Sequence, residues 1–157
     1  MAAQSDFVAL ANVTVSNSSE TILCEYTAPA NTPIDCILQS FSFGTPADTS
    51  QEKIAIRMYK GTSTIGGSPT DVSSTNLSEQ TGRQDEGSKG TLKTGGTLPT
   101  LNNPVFREAV NQQAGYTNPQ IIGLTGGERL LVTVQQLSGS DSVTAYGRLV
   151  FRNPALA

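Results

Sequence analysis

The stretch TGRQDEGSKGTLKTGG, residues 81–96, has the residue types of a phosphate-binding loop. Such a loop needs G-x-x-x-x-G-K-[ST] between a strand and a helix. Here Lys89 stands one position too late after Gly87, no apolar strand precedes the stretch, and no helical pattern follows it. Asp85 and Glu86 would also repel phosphate. The stretch therefore does not predict a nucleotide site.

Other catalytic chemistry also lacks the necessary residues. The chain contains no histidine, the side chain most often used for proton transfer near neutral pH. The one adjacent acidic pair, Asp85–Glu86, lies in a polar segment and is interpreted as solvated. A calcium loop needs acidic residues at alternating positions and a closing Glu, and no stretch has them. We predict a protein that is not an enzyme, with no cofactor, no metal and no small-molecule substrate.

Two cysteines, Cys24 and Cys36, lie nearly symmetrically about Ala30, on two consecutive predicted strands. A hairpin of those strands would bring the sulfurs close enough for a disulfide. Disulfides are rare in proteins of a reducing cytoplasm, so two buried free thiols are the favoured alternative. A zinc site needs more ligands than two cysteines.

The composition is typical of a small β protein with polar loops. Hydrophobic residues are 36% and charged residues 15% of the 157 residues, both low for a globular domain. The net charge of −3 gives no reason to expect nucleic acid or a membrane surface as a partner. The first residues have no signal-peptide pattern, and no run approaches the ~20 apolar residues of a membrane span. We expect a protein made without export.

Short runs rich in β-branched and aromatic residues predict about eight strands. They cover residues 6–15, 21–28, 34–44, 53–60, 104–114, 120–124, 128–137 and 143–152. The segment 104–114 also fits a helix that begins at Pro104, and we favour the strand. The loop SGSDS, residues 138–142, predicts a tight hairpin between the last two strands.

These strands favour an all-β fold, a two-sheet antiparallel sandwich of the jelly-roll kind, as one domain over residues 1–157. An immunoglobulin-like sandwich is the alternative, but the chain has no Trp for a Cys–Trp–Cys pattern. Residues 61–103 carry isolated apolar residues among glycines and polar residues. A structureless loop of that length is uncommon in a compact domain, so we predict a long surface arm with a strand of its own around residues 91–101.

Two tyrosines are predicted at the surface. The strand KIAIRMYK alternates, with Ile54, Ile56 and Met58 on its apolar face and Tyr59 on the other. Tyr116 falls in a predicted loop. Both rings are candidates for contact with a sugar or a protein, whereas Tyr146 and the phenylalanines are interpreted as core residues.

The last third, GLTGGERLLVTVQQLSGSDSVTAYGRLVFRN, has a Gly-rich turn, an alternating strand, a short polar loop and a strand that ends in aromatic, basic and polar residues. This pattern resembles the closing hairpin of small jelly-roll structural proteins of tailed bacteriophages, including capsid decoration (cement) proteins. It is carried by Gly127, Glu128, Arg129, Leu130, Val132, Val134, Val143, Tyr146, Leu149 and Phe151. The earlier runs TILCEYTAPAN, PIDCILQSFSFG and KIAIRMYKG are similar too. The cysteine pair and the unusually polar arm depart from the pattern.

The resemblance implies a non-enzymatic virion protein on the capsid surface, made in the host cytoplasm without a signal peptide. Such a protein forms a homotrimer, binds the major capsid protein and stabilises contacts between capsomers. Many small contacts over a lattice add up by multivalency, and a trimer matches a local threefold axis. The candidate partner contacts are Phe7, Leu77, Leu92, Leu98, Leu101 and Tyr116. The alternative for the leucines is packing against the protein's own sandwich.

Two other functions stay open on the sequence alone. One is a structural subunit of the tail, neck or fibre. The other is a jelly-roll module for adhesion to carbohydrate, which would need an aromatic or calcium-lined groove.

Overall fold

The computed structural model describes residues 6–15, 19–44, 53–79, 89–111, 115–138 and 142–154. Within these ranges the chain forms twelve strands and one short helix, α1 (Ser73–Asn76). The strands are β1 (Asp6–Val15), β2 (Thr21–Thr27), β3 (Ile34–Gly44), β4 (Lys53–Lys60), β5 (Thr70–Asp71), β6 (Leu77–Glu79), β7 (Thr91–Thr94), β8 (Phe106–Asn111), β9 (Tyr116–Asn118), β10 (Ile122–Leu124), β11 (Arg129–Ser138) and β12 (Val143–Arg152). The predicted all-β, two-sheet fold is confirmed.

The strands form two antiparallel sheets. Sheet 1 has the order β10–β3–β12–β1–β6, with β9 also paired to β3. Sheet 2 has the order β5–β7–β2–β11–β4–β8. Strands β1, β2, β3 and β4 alternate between the sheets, and so do the last two strands, β11 and β12. Strand β1 therefore pairs with β12 along its whole length, with Asp6 opposite Arg152 at one end and Val15 opposite Val143 at the other. This alternation of strands between two packed sheets is the jelly-roll order.

The alternation corrects two hairpins expected from the sequence. Strand β11 lies between β2 and β4, whereas β12 lies between β3 and β1. Residues 138–142 therefore connect the two sheets, although residues 139–141 themselves lie outside the described ranges. Strands β2 and β3 likewise belong to different sheets. Turn residues favour a change of direction, and they carry no information on whether the next strand stays in the same sheet.

The core lies between the sheets and is built from alternate side chains of both. An aromatic stack crosses it, with Phe7 of β1 5.3 Å from Phe151 of β12, and Phe151 4.1 Å from Tyr26 of β2, measured between ring centroids. Large rings dominate core energetics because each buries about 150–250 Å². Ile54, Ile56 and Met58 of β4 are fully buried in the same core, as their alternation predicts.

Three local predictions have different outcomes. Residues 106–111 form a strand, as favoured over the helix. The strand expected around 91–101 is confirmed only for Thr91–Thr94. Tyr116–Asn118, expected in a loop, is a short strand on the edge of β3, because that edge offers unpaired backbone groups.

The long excursion between β4 and β8 packs on the sandwich over its described length. We call residues 61–79 and 89–105 the covering segment. Its strand β6 pairs with β1 at one edge of sheet 1, and its strand β7 pairs with β2 in sheet 2. Pairing or covering the edge strands removes templates for unwanted association. Residues 81–88, with the rejected phosphate-loop match and the Asp85–Glu86 pair, lie outside the described ranges.

Candidate binding surfaces

The covering segment buries an apolar cluster on the outer face of sheet 2. Ile22, Tyr59 and Leu131 point away from the main core and pack with Ile65 of the covering segment, and Leu101 packs against them. All but Leu101 are less than 6% exposed. Sheet 2 therefore buries apolar side chains on both faces.

A buried carboxylate fixes the covering segment to the sheet. Glu25 of β2 is 1% exposed. Its carboxylate accepts hydrogen bonds from the Ile65 backbone N–H at 3.0 Å and from the Thr64 hydroxyl at 3.3 Å. A buried charge is tolerated only with such partners. The sequence signal for this contact is a lone acid inside the apolar run TILCEYT.

A second fixed point lies at the beginning of residues 89–105. The Tyr26 hydroxyl donates a hydrogen bond of 2.6 Å to the Lys89 carbonyl oxygen. The next residue, Gly90, has a φ of 93°, and a Cβ there would overlap the Thr27 carbonyl oxygen. Only glycine fits this close approach.

Tyr59 is part of a polar cluster and does not contact solvent as predicted. Its side chain is 3% exposed, and its hydroxyl donates a 2.7 Å hydrogen bond to Glu20. The same Glu20 oxygen accepts from Thr133 at 2.5 Å, and Arg57 lies 3.7 Å from the other oxygen. Burial first, and then the bond to Glu20, raise the pKa of Tyr59 to about 12. Alternation predicted the outward direction correctly, but the covering segment and this cluster bury the ring.

The outward surface of the covering segment is poor in charge. The covering segment has four charged residues, Asp71, Glu79, Lys89 and Lys93. Asp71 and Lys93 are paired positions of β5 and β7, so their charges offset each other. Two large apolar side chains are exposed there, Leu98 at 37% and Val105 at 46%. Depletion of charge around exposed apolar side chains is the compositional signal of a protein interface.

The six candidate contact residues do not form one surface. Phe7, Leu77 and Leu92 are 4%, 6% and 0% exposed and belong to the main core. Their side chains fill the protein's own sandwich. For Leu77 and Leu92, this is the alternative that the sequence analysis gave to partner contact. Leu101 is partly buried on sheet 2.

The other two candidates lie in different surroundings. Tyr116 is partly buried, with its ring centroid 5.9 Å from that of Phe106. Leu98 is the one candidate of the six that is exposed.

Cys24 and Cys36 are free and buried in the core. They belong to strands of opposite sheets, so no hairpin brings them together. Burial raises the pKa of both thiols to about 12. The Gln39 side-chain N–H donates to the Cys36 sulfur at 3.3 Å. Because the thiolate is the reactive form, burial and the raised pKa disfavour reaction of these thiols in the folded protein.

The outer face of sheet 1 carries a groove that the sequence did not reveal. Tyr146 of β12, which the sequence analysis interpreted as a core residue, is 48% exposed there. Leu10 of β1, for which no prediction was made, is 49% exposed. We call it the Tyr146 groove; the residues that line it include Leu10, Asn12, Ser40, Ser42, Asn76, Tyr146 and Arg148. The alternation in the β12 sequence could have predicted the outward direction of Tyr146, because Tyr146, Arg148 and Val150 alternate with the inward Ala145, Gly147 and Leu149.

Strand register sets the chemistry of the Tyr146 groove. Tyr146 lies opposite Asn12 and Ser42, and the neighbouring Arg148 lies opposite Leu10 and Ser40. The volume is about 450 Å³, within the range of small-ligand sites, about 300–1,000 Å³. The groove therefore joins one aromatic ring, one cation and several uncharged polar groups.

Comparisons with known proteins assign no family. No protein-family model matches the chain, and the search of curated proteins returned no match. Within the described ranges, no three His, Cys, Asp or Glu side chains come together as metal ligands would. No helix in those ranges has the length and apolar character needed to cross a membrane.

Proposed function

We propose that the protein is a capsid decoration protein, a non-enzymatic virion component that binds the outer surface of a capsid and stabilises contacts between capsomers. The observation that carries the proposal is the charge-poor outer surface of the covering segment with its exposed Leu98 and Val105. The sequence resemblance to jelly-roll phage proteins, with the jelly-roll order of the sheets, supplies the class of partner.

The covering segment suits docking because it is held rigidly. It is paired to both sheets and bonded to Glu25, so little conformational entropy is lost when a partner binds. Its side chains are mainly small and polar, which permits close approach of another backbone. Two exposed apolar side chains in a segment with few charged residues then provide the apolar centre that interfaces need.

Weak individual contacts suffice for this function. Many copies bind a repeating lattice, and a homotrimer engages three equivalent sites at once, so the separate contacts combine by multivalency. The trimer's cyclic symmetry would match a threefold position of the lattice. The partners proposed are the major capsid protein and two further copies of this chain.

The test is binding to empty capsids assembled from the major capsid protein of the same phage, measured by co-sedimentation. Leu98→Glu and Val105→Glu should each reduce the bound fraction strongly, since a charge is placed in an apolar contact. Leu137→Glu and Ile121→Glu are matched controls, because both residues are exposed apolar side chains, at 47% and 62%, outside the covering segment. They should bind as the unmodified protein does.

Native mass at micromolar concentration accompanies the binding test. A mass near three times 16.5 kDa supports the trimer. Absence of capsid binding by the unmodified protein would overturn the proposal. If the control variants lose as much capsid binding as Leu98→Glu and Val105→Glu do, the covering segment is not the capsid-binding surface.

A further inference from the structure

The Tyr146 groove lies on sheet 1, outside the surface assigned to capsid binding, and the Tyr146 ring lies against the neighbouring strand β3. A Cβ placed on Gly44 would lie 3.4 Å from the Tyr146 ring atom Cε2 and 3.7 Å from its hydroxyl oxygen. The ring therefore lies beside bare backbone of β3 and is still 48% exposed. An exposed aromatic ring supported by rigid strands loses little entropy on contact with a ligand.

The polar side chains of the Tyr146 groove have unused hydrogen-bonding capacity. In the part of the chain that the structure describes, Asn12, Ser42 and Arg148 have no side-chain hydrogen bond or ion pair. Arg148 is partly buried, and its guanidinium offers five N–H donors in a planar fork. By contrast, the guanidinium groups of Arg57, Arg129 and Arg152 all donate hydrogen bonds within the protein.

The local charge of the groove is positive although the chain's net charge is −3. Among the lining residues that the structure describes, Arg148 is the one charged side chain and none is a carboxylate. An anionic group therefore complements the site, and a guanidinium binds a carboxylate through two parallel hydrogen bonds.

We propose that the Tyr146 groove binds a saccharide that carries a carboxylate, such as a uronic or sialic acid. The Tyr146 ring packs against the C–H face of the sugar, since the negative face of an aromatic ring attracts positively polarised hydrogens. Arg148 pairs with the sugar carboxylate, and Asn12, Ser40 and Ser42 exchange hydrogen bonds with its hydroxyl groups. This activity is independent of the proposed capsid binding, which uses a different surface.

The experiment screens the full chain on an array of sialylated, uronic-acid-containing and neutral saccharides, followed by calorimetric titration of the best-bound saccharide. We expect binding confined to the acidic saccharides. Tyr146→Ala and Arg148→Gln should each weaken it about tenfold or more, equivalent to about 1.4 kcal/mol. Tyr146→Phe keeps the ring and should bind within a few-fold of the unmodified protein, and Leu137→Ala should bind unchanged.

Each other result overturns the saccharide proposal. An array without binding does so, as does equal binding of neutral and acidic saccharides. Binding that survives both Tyr146→Ala and Arg148→Gln places the saccharide elsewhere. If the two variants instead weaken co-sedimentation with empty capsids, the groove is a protein contact. Unfolding midpoints equal to that of the unmodified protein establish that the variants are folded. Loss of capsid binding by Leu98→Glu tests the proposed capsid function and has no bearing on saccharide binding.

Discussion

The two outer faces of the sandwich differ in what lies over them. On sheet 2, Ile22, Tyr59 and Leu131 point outward and are buried under Ile65 and its neighbours. On sheet 1, Leu10 and Tyr146 also point outward, and about half of each side chain is exposed. Both faces are made of long antiparallel strands with outward apolar side chains.

The difference lies in the chain that returns over each face. The covering segment follows β4 and packs on the outer face of sheet 2, where Glu25 bonds it in place. On sheet 1 the described part of the same segment reaches the edge, where the Asn76 side chain donates to the Leu10 carbonyl oxygen at 2.7 Å. The outward apolar residues of sheet 2 therefore serve stability, and those around the Tyr146 groove are available for binding.

The largest effect should come from replacing residues 62–103 with a short Gly-Ser linker. Met58 and Phe106 are paired across β4 and β8, so a linker of a few residues can join the two strands without strain. We nevertheless expect an unfolded or molten protein, because the change removes core side chains and uncovers Ile22, Tyr59 and Leu131 on the outer face of sheet 2. Far-UV and near-UV circular dichroism measure the outcome. A cooperative, folded product would show that the covering segment is a dispensable arm.

Within the covering segment, buried and exposed leucines should behave differently. Leu92 is 0% and Leu98 37% exposed. Leu92→Ala should lower the free energy of unfolding by about 2–5 kcal/mol, because it leaves a cavity in the core, and Leu98→Ala by less than about 0.5 kcal/mol. Urea unfolding of the pair provides the measurement. Similar losses would contradict the assignment of Leu98 to the surface.

The two thiols between the sheets should produce a loss of stability that begins near pH 9, one pH unit below the onset expected for Tyr59 on the outer face of sheet 2. Burial raises their pKa values from 9.0 to about 12, so the unfolded state releases its protons first. Their contribution to stability is full below pH 9 and is lost as the pH rises from 9 towards 12. Each thiol should lower the free energy of unfolding by about 1.4 kcal/mol per pH unit above pH 9.

Unfolding midpoints at pH 8 and pH 10 test this slope. Cys24→Ala and Cys36→Ala will both be less stable than the unmodified protein at pH 8, because each substitution leaves a cavity. In each variant, however, the drop in stability from pH 8 to pH 10 should be about half of the drop in the unmodified protein. An unchanged slope in both variants would mean that the thiols are not shielded in the folded state.

Much of the fold was predictable because strand formation depends on local pattern. The alternation of Ile54, Ile56 and Met58 identified the core face of β4, and the β-branched runs identified the long strands. The pairing of those strands depends on contacts distant in sequence. For that reason the residues of 138–142 indicated a hairpin where the chain passes from one sheet to the other.

The candidate surfaces were less predictable, since a side chain's exposure depends on which segment lies over it. Tyr59 and Tyr146 were assigned to the surface and the core, and the structure has them the other way round. Leu77, Leu92 and Leu98 have similar polar surroundings in the sequence, and only Leu98 is exposed. No local pattern distinguishes them, because the distinction arises from where the excursion meets β1 and β2.

A smaller effect should follow from removing the carboxylate beneath the covering segment. Glu25→Ala leaves the Ile65 N–H without its acceptor, which should cost about 1–3 kcal/mol and speed hydrogen exchange of the Ile65 amide. Glu108→Ala is the control, because Glu108 is exposed on β8 and, within the described ranges, its carboxylate accepts a hydrogen bond from the adjacent Ala109 N–H alone. Unaltered exchange at Ile65 in the Glu25 variant would show that the contact does not hold the segment.

The smallest effect, and the most direct comparison of the two faces, comes from removing one oxygen atom from each outward tyrosine. Tyr59→Phe breaks the hydrogen bond to Glu20 and should cost about 1 kcal/mol, whereas Tyr146→Phe should change stability by less than about 0.5 kcal/mol. The pKa of Tyr59 is raised from 10.0 to about 12, so its hydroxyl stabilises the fold fully below pH 10 and loses that contribution as the pH rises towards 12. The stability difference between the unmodified protein and Tyr59→Phe should therefore narrow over that interval, while Tyr146→Phe stays level. Equal effects of the two substitutions at pH 8 would mean that the covering segment does not distinguish the faces, and the availability of the Tyr146 groove for binding would need another cause.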